Sequence, residues 1–338
     1  MRNKMDLTGF PRTSLGHLPT PLERMDRLRA ALGPDCPTLL VKRDDCTGLA
    51  SGGNKTRKLE FLMGEAVEKG AGAIVTFGAV QSNHARQTAA AAAKLGLPCD
   101  LILIGMVARD SEAYRTSGNV LYDLLLGARV HLVKDDKGAT TAFEVVTAAH
   151  AKAGRGVYVV PIGGSNAVGS LGYIDAFDEI ERQTEAMGVA VDAIVFGSSS
   201  GGTQAGLIAG ATLADSATRI MGVNVYKKQG ADIASTVHAL ALETLYHVGV
   251  PLLDVSKRVH VIDGYQGEGY GLPSDAMREA VTLTAQTEGL LLDPVYSGKA
   301  MAALIGHVRK GKFTRDQTVV FLHTGGTAAL SAYPDAFD

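Results

Sequence analysis

Small residues and hydroxyls crowd one short stretch, Gly197-Ser198-Ser199-Ser200-Gly201-Gly202-Thr203-Gln204-Ala205-Gly206. With no bulky side chains in the way, consecutive N–H groups at a helix start stay open, and Ser and Thr add further donors. That chemistry suits a phosphate. A capped helix after a turn is the alternative, although one or two hydroxyls would suffice for capping. The stretch is neither G-x-G-x-x-G nor a Walker A loop, and no acidic residue follows at the distance a dinucleotide ribose needs. Gln81-Ser82-Asn83-His84 has similar possibilities. Ser82 or Asn83 can serve as an N-cap, or the exposed N–H groups can take a carboxylate. His84 alone says little. In Ser51-Gly52-Gly53-Asn54-Lys55-Thr56-Arg57-Lys58-Leu59-Glu60, two glycines allow close backbone approach to a ligand. Lys55 then falls in the first turn of a helix, against the helix dipole. A local rule broken inside a glycine loop marks a candidate functional site. A solvated lysine is the bland alternative, and Lys58 reads as one.

Two tyrosines, Tyr270 and Tyr296, stand in Gly/Pro-rich loops, and His323-Thr324-Gly325-Gly326-Thr327 follows an apolar run near the end. Each is an ordinary loop when taken alone. Three scattered cysteines, Cys36, Cys46 and Cys99, form neither a disulfide framework nor a metal site.

The elements that must position these residues alternate along the chain. Strands are expected over 75–77, 101–104, 130–133, 157–161, 193–196, 220–225, 258–262 and 318–323. Helices are expected from near Asn54 and over 81–94, 119–126, 142–153, 203–213, 231–248, 275–287 and 299–310. This βαβ alternation predicts an α/β protein with parallel sheets and helices on both faces. Turn residues stand where the strands end, at Phe77-Gly78, Ile162-Gly163-Gly164, Gly197-Ser198 and Thr324-Gly325-Gly326. Ligands bind beyond the carboxyl ends of such strands, so these loops are expected to build one composite site.

The 338 residues suit one large domain or two lobes. A net charge of −2 and the absence of Trp give no footprint for nucleic acid or for an anionic membrane. No apolar run is long enough for a membrane span or a signal peptide, so a cytoplasmic protein is expected.

Taken in order, Arg43-Asp44-Asp45, Gly-Gly-Asn-Lys-x-Arg-Lys-Leu-Glu, Gln81-Ser82-Asn83, the Ser/Gly/Thr loop, Tyr270-Gly271, Asp293-Pro294-Val295-Tyr296 and His323-Thr324-Gly325-Gly326 resemble one family. It is that of the D-cysteine desulfhydrases, L-cysteate sulfo-lyases and 1-aminocyclopropane-1-carboxylate deaminases, which are fold-type II pyridoxal phosphate enzymes akin to the tryptophan synthase β-subunit. The resemblance covers about the whole chain. It implies pyridoxal 5′-phosphate as cofactor, a small amino acid as substrate and a homodimer. It also implies a small domain over 52–163 and a large cofactor-binding domain over 1–51 and 164–338. Lys55 matches the lysine that carries the cofactor. Asn83 matches the partner of its ring hydroxyl, and Ser200, Gly201, Gly202 and Thr203 match the phosphate loop. Ser82, with Asn83 and His84, matches the substrate-carboxylate site. Tyr270 and Tyr296 match the active-site tyrosines, and Thr324 a residue near the pyridine nitrogen.

The resemblance also implies a reaction. In the cyclopropane deaminases a Glu follows the D-P-V-Y tyrosine and a Leu occupies the position of Thr324; here they are Ser297 and Thr324. A hydroxyl holds a pyridinium less firmly than a carboxylate does. The chain therefore sides with the carbon–sulfur lyases, which expel sulfide from D-cysteine or sulfite from L-cysteate. Lys227-Lys228 could meet a sulfonate or be a solvated pair, and the Cys46–Ala50 loop could shape the pocket. Cyclopropane deamination is the alternative reaction. Rivals from other classes are a catalytically inactive binding protein on the same fold and a nucleotide-binding enzyme.

Overall fold

A computed structural model describes residues 6–226, 233–251 and 253–337. Lys227 and Lys228 lie outside the described residues. The elements run β1 (Leu22–Arg24), α1 (Asp26–Leu32), β2 (Thr38–Lys42), α2 (Lys55–Glu68), β3 (Ala73–Ala79), α3 (Asn83–Lys94), β4 (Cys99–Ile104), α4 (Glu112–Thr116) and α5 (Asn119–Leu125). They continue with β5 (Arg129–Val133), α6 (Asp136–Lys152), β6 (Val157–Val160), α7 (Ala167–Ala186), β7 (Ala193–Ser198), α8 (Gly202–Leu213), β8 (Arg219–Asn224) and α9 (Ile233–His247). Last come β9 (His260–Ile262), α10 (Asp275–Glu288), α11 (Ser297–Arg309) and β10 (Thr318–Leu322).

Two sheets result. The larger has the order β1-β2-β10-β7-β8-β9, the smaller β5-β4-β3-β6. Every pairing is parallel except β1 with β2. Side chains alternate between faces, and both faces of the larger sheet are covered. On β7, Ala193 and Val195 enter one core while Ile194 and Phe196 enter another. On β10, Val319 and Phe321 join the first core, and Val320 and Leu322 the second. The smaller sheet does the same on β4, with Leu101 and Leu103 on one side and Ile102 and Ile104 on the other. Each such Val, Leu, Ile or Phe side chain stabilises the fold by roughly 1.5–3 kcal/mol relative to exposure. No helix among the described residues is long and apolar enough to cross a membrane.

The helix that clamps the site together is α7, an element that sequence reasoning passed over. It lies between α2 and α8, and glycines let the three approach closely. A Cβ on Gly172 would stand 2.3 Å from Arg57 O, and one on Gly206 would stand 2.3 Å from Ser170 O. Arg57, buried between these elements, donates to Asp44 and Glu179, each at 2.9 Å. The start of α2 and the start of α8 are thereby held in fixed relation.

Candidate active site

The expected composite site exists. A cavity of about 250 Å³ opens beyond the ends of β3, β7 and β10. Lys55, Asn54, Ser82, Asn83, His84, Ser200, Gly201, Thr203, Tyr270, Tyr296 and Thr324 all stand on its wall.

Lys55 is the first residue of α2. Its Nζ donates to Asn54 Oδ1 at 3.0 Å. Burial lowers its pKa to about 8, against the opposing charge of Asp293. A lysine so tuned has far more free amine near neutral pH than an ordinary lysine, which a nucleophile or base requires. The loop before it is built from left-handed residues: Gly48, Ala50, Ser51, Gly52 and Gly53 all have positive φ. At Gly52 a Cβ would fall 2.0 Å from Asp45 O, so only glycine fits there. The Cys46–Ala50 loop is not on the cavity wall. It stands behind it, where Thr47 Oγ1 accepts from Gly53 N at 2.8 Å.

Ser82 caps α3, its Oγ accepting from Ala85 N at 3.1 Å. A chain of side chains then orients Asn83. Arg86, which has only donors, gives Nε–H to Asn119 Oδ1 at 2.8 Å. Asn119 Nδ2 must therefore donate to Asn83 Oδ1, 3.0 Å away, leaving Asn83 Nδ2 as the available donor. His84 is fixed just as firmly. Thr76 Oγ1 donates to Val160 O at 2.9 Å, so it accepts from His84 Nε2 at 2.8 Å. The Nδ1 of His84 is thus an unprotonated acceptor, buried and without a partner. Burial, followed by the charges of Lys55 and Lys58, drives the His84 pKa well down.

The phosphate-type cradle is formed by the start of α8, where Gly201 has φ +82°. First-turn N–H groups have no intrahelical partner. Ser165 Oγ links the cradle across the fold, 2.7 Å from Ser200 Oγ and accepting from Gly202 N at 3.2 Å. Lys58, expected at the surface, is fully buried behind this cradle. Its Nζ donates to Gly163 O at 3.1 Å and Ser165 Oγ at 3.2 Å. A Cβ on Gly202 would come within 2.9 Å of that nitrogen. Burial, followed by the charge of Lys55, pushes the Lys58 pKa well down, and an anion held by the open N–H groups beside it would favour its protonated form.

Opposite, the Tyr270 and Tyr296 hydroxyls hydrogen-bond each other, with ring centroids 5.7 Å apart at 71°. Burial raises both phenol pKa values. Tyr226 packs edge-on against Tyr270 at 5.3 Å and also lines the cavity. Lys299, buried, holds the Tyr270 loop by donating to Gln266 O at 2.7 Å and Gly269 O at 2.8 Å.

Ser297 does not stand on the cavity wall. Its Oγ donates to Asp293 Oδ1 at 2.5 Å, and Asp293 also accepts from the N–H groups of Val295, Tyr296 and Ser297. The expectation of a Ser297 hydroxyl facing the ring is therefore corrected: capping α11 uses it. Thr324 does stand on the wall, and its carbonyl accepts from Asn54 N at 3.0 Å. Gly202 contributes through its backbone rather than as a wall residue. Sequence reasoning missed Tyr226 and Lys58. Ser165 was missed too, although the neighbouring Gly163-Gly164 turn was seen.

The donor set fits a phosphorylated hydroxypyridine aldehyde bound end to end: open N–H groups and a buried lysine for the phosphate, an oriented amide for a ring hydroxyl, and a tuned amine at the carbonyl end. The comparisons agree. The family model "Pyridoxal-phosphate dependent enzyme" matches residues 13–325. The D-cysteine desulfhydrase of Salmonella newport (strain SL254) is 41% identical over 330 residues, covering 97% of both chains. That of Salmonella typhi is equally similar, at 41% over 330 residues. A solved structure described as an ACC deaminase homologue superposes with a TM-score of 0.87 at 35% identity, covering 98% of this chain and 96% of that one. With a family model spanning nearly its whole length and the matching fold-type II architecture, this chain belongs to the pyridoxal-phosphate dependent enzymes.

Proposed function

We propose that the protein is a carbon–sulfur lyase that converts D-cysteine and water to pyruvate, sulfide and ammonia. The observation that carries this reading is the pairing of a tuned Lys55 amine with the Tyr270–Tyr296 hydroxyl pair across one cavity. The full-length similarity to D-cysteine desulfhydrases supports it.

When bound, pyridoxal 5′-phosphate supplies the electron sink that lets a bond at Cβ break. The protein's part is to bind, orient and move protons. Lys55 holds the cofactor and, with its amine free, takes the proton from the substrate Cα. Ser200, Gly201, Gly202 and Thr203, backed by Lys58, hold the phosphate. Asn83 Nδ2 would donate to the ring hydroxyl, and Thr324 would stand near the ring nitrogen. Ser82, with Asn83 and His84 at the start of α3, receives the substrate carboxylate. Tyr270 and Tyr296 stay protonated at neutral pH, so one can supply the proton that a departing thiolate needs.

Lys55 is the one charged side chain among the described wall residues. Lys227 and Lys228, which directly follow the wall residue Tyr226, lie outside the described residues. What favours D-cysteine over L-cysteate is the full-length similarity to D-cysteine desulfhydrases. Within this reading the smaller lobe is 52–163, the larger is 1–51 with 164–338, and the protein is a cytoplasmic homodimer. A panel of D-cysteine, L-cysteine, L-cysteate and aminocyclopropane carboxylate tests it, with pyruvate, 2-oxobutanoate, sulfide and sulfite assayed. Sulfide and pyruvate from D-cysteine are expected. Turnover of the cyclopropane alone would transfer the protein to the deaminases, and no turnover of any substrate would make it a binding protein.

A further inference from the structure

Asn54 stands between the two ends of the site. Its side chain touches both Lys55 Nζ, at 3.0 Å, and Thr203 Oγ1, also at 3.0 Å. The orientation of its amide follows from what each neighbour can do. An ammonium has donors only, so the atom facing Lys55 is the oxygen. The nitrogen is left for Thr203, and an amide nitrogen only donates. Thr203 Oγ1 must therefore accept from Asn54 Nδ2, and its own proton is directed elsewhere. Thr203 lies in the first turn of α8, on the cavity wall, with the open N–H groups around it. An anion in the cradle is the acceptor that this proton fits.

The same residue is fixed at its backbone. Asn54 N donates to Thr324 O at 3.0 Å, and its side chain is buried. Turning the amide would set its nitrogen against the Lys55 ammonium, so the orientation is well determined.

We propose that Asn54 is a positioning residue that couples the anchor amine to the phosphate cradle: its amide steers Lys55 Nζ and turns the Thr203 hydroxyl into a donor for the phosphate. This rests on the reading of Lys55 as the carrier and of the Ser200–Thr203 segment as the phosphate loop. A carboxylate at position 54 would reverse both effects. It would pair with the ammonium and keep it protonated. It would also take the Thr203 proton for itself, leaving a lone pair facing the anion.

The test uses the full-length protein freed of cofactor, with inorganic phosphate as the probe for the cradle. Phosphate affinity is measured by calorimetry for the parent, Asn54→Ala, Thr203→Val and the double variant. The pH dependence of Lys55 acylation by acetic anhydride is followed by mass spectrometry in the parent and in Asn54→Asp, which keeps the shape of the side chain. Loss of the Thr203 donor should weaken phosphate about 10-fold. Asn54→Ala should cause a loss of several-fold on its own and almost none in the Thr203→Val background. Asn54→Asp should move the acylation midpoint of Lys55 upward by about one pH unit or more. Equal losses from Asn54→Ala in both backgrounds, or an unmoved midpoint in Asn54→Asp, would overturn the coupling. If Thr203→Val itself leaves phosphate binding unchanged, it is the phosphate-loop reading that fails.

Discussion

Tyr270 and Tyr296, 26 residues apart in sequence, meet hydroxyl to hydroxyl on the cavity wall. Neither tyrosine is held by its own loop alone. Tyr296 sits at the N-terminal end of α11, where Asp293 accepts its backbone N–H at 2.8 Å. Tyr270 depends on the loop that Lys299 ties down from the same helix. A proton on either hydroxyl is therefore shared within one unit.

Such a unit should respond to mutation as one. Tyr270→Phe and Tyr296→Phe each remove one partner of the hydroxyl pair. Each should lower turnover of D-cysteine by roughly 100-fold, the lower end of what general acid–base groups contribute. The double variant should be little slower than either single one. Steady-state rates for all three check this; multiplicative losses would mean that the hydroxyls act independently.

Lys58→Met keeps the length of the side chain and removes the buried amino group behind the cradle. Cofactor affinity should fall by about 10-fold or more, the scale of a lost charged hydrogen bond. Equilibrium titration with pyridoxal phosphate measures it. An unchanged dissociation constant would show that Lys58 only braces Gly163 and Ser165.

Much of this site is legible in the sequence because its signals are local. Glycines and hydroxyls at strand ends announce loops whose backbone is open, which is why one composite site is expected there; the individual roles of Lys55, Asn83, Thr203 and Thr324 come from the family resemblance. What stayed hidden depends on the third dimension. Lys58 is three residues beyond Lys55, and nothing in its neighbours says that α7 will cover it. The glycines of α7 disguise a helix by propensity, because they are there for close packing against Arg57 O and the Gly164 region. Ser297 has the right spacing to face a ligand, yet a capping carboxylate four residues earlier claims its hydroxyl. The short β1 and β2 escaped notice because their pairing partners are each other and the distant β10.

That position allows a direct check on the reaction. Since Ser297 points into the Asp293 cap, Ser297→Glu should not confer cyclopropane opening. It should instead bring a second carboxylate against Asp293 and lower the melting temperature. Measurable 2-oxobutanoate formation by this variant, at unchanged stability, would mean that residue 297 does reach the ring.

Asp123 makes a prediction away from the site. Both its carboxylate oxygens are buried without a hydrogen-bond partner, and burial raises its pKa to about 8, with Arg86 partly opposing. An unfolded Asp titrates near ~3.9, so between about pH 4 and 8 the folded chain holds the extra proton. Its contribution to stability therefore falls as pH rises through that window and is lowest above it. Asp123→Asn removes this dependence. Its unfolding free energy relative to the parent should rise by a few kcal/mol from pH 5 to pH 9, measured with denaturant. A difference that does not vary with pH would contradict the buried, protonated carboxyl.

The attachment of the cofactor to Lys55 is the claim on which the rest depends. Borohydride treatment of the protein loaded with pyridoxal phosphate makes the lysine link permanent, and peptide mapping by mass spectrometry then locates it. The label should fall on Lys55 in full, and Lys55→Ala should abolish both label and turnover. Label on Lys42, Lys58 or Lys299 instead, with Lys55→Ala still active, would contradict the account.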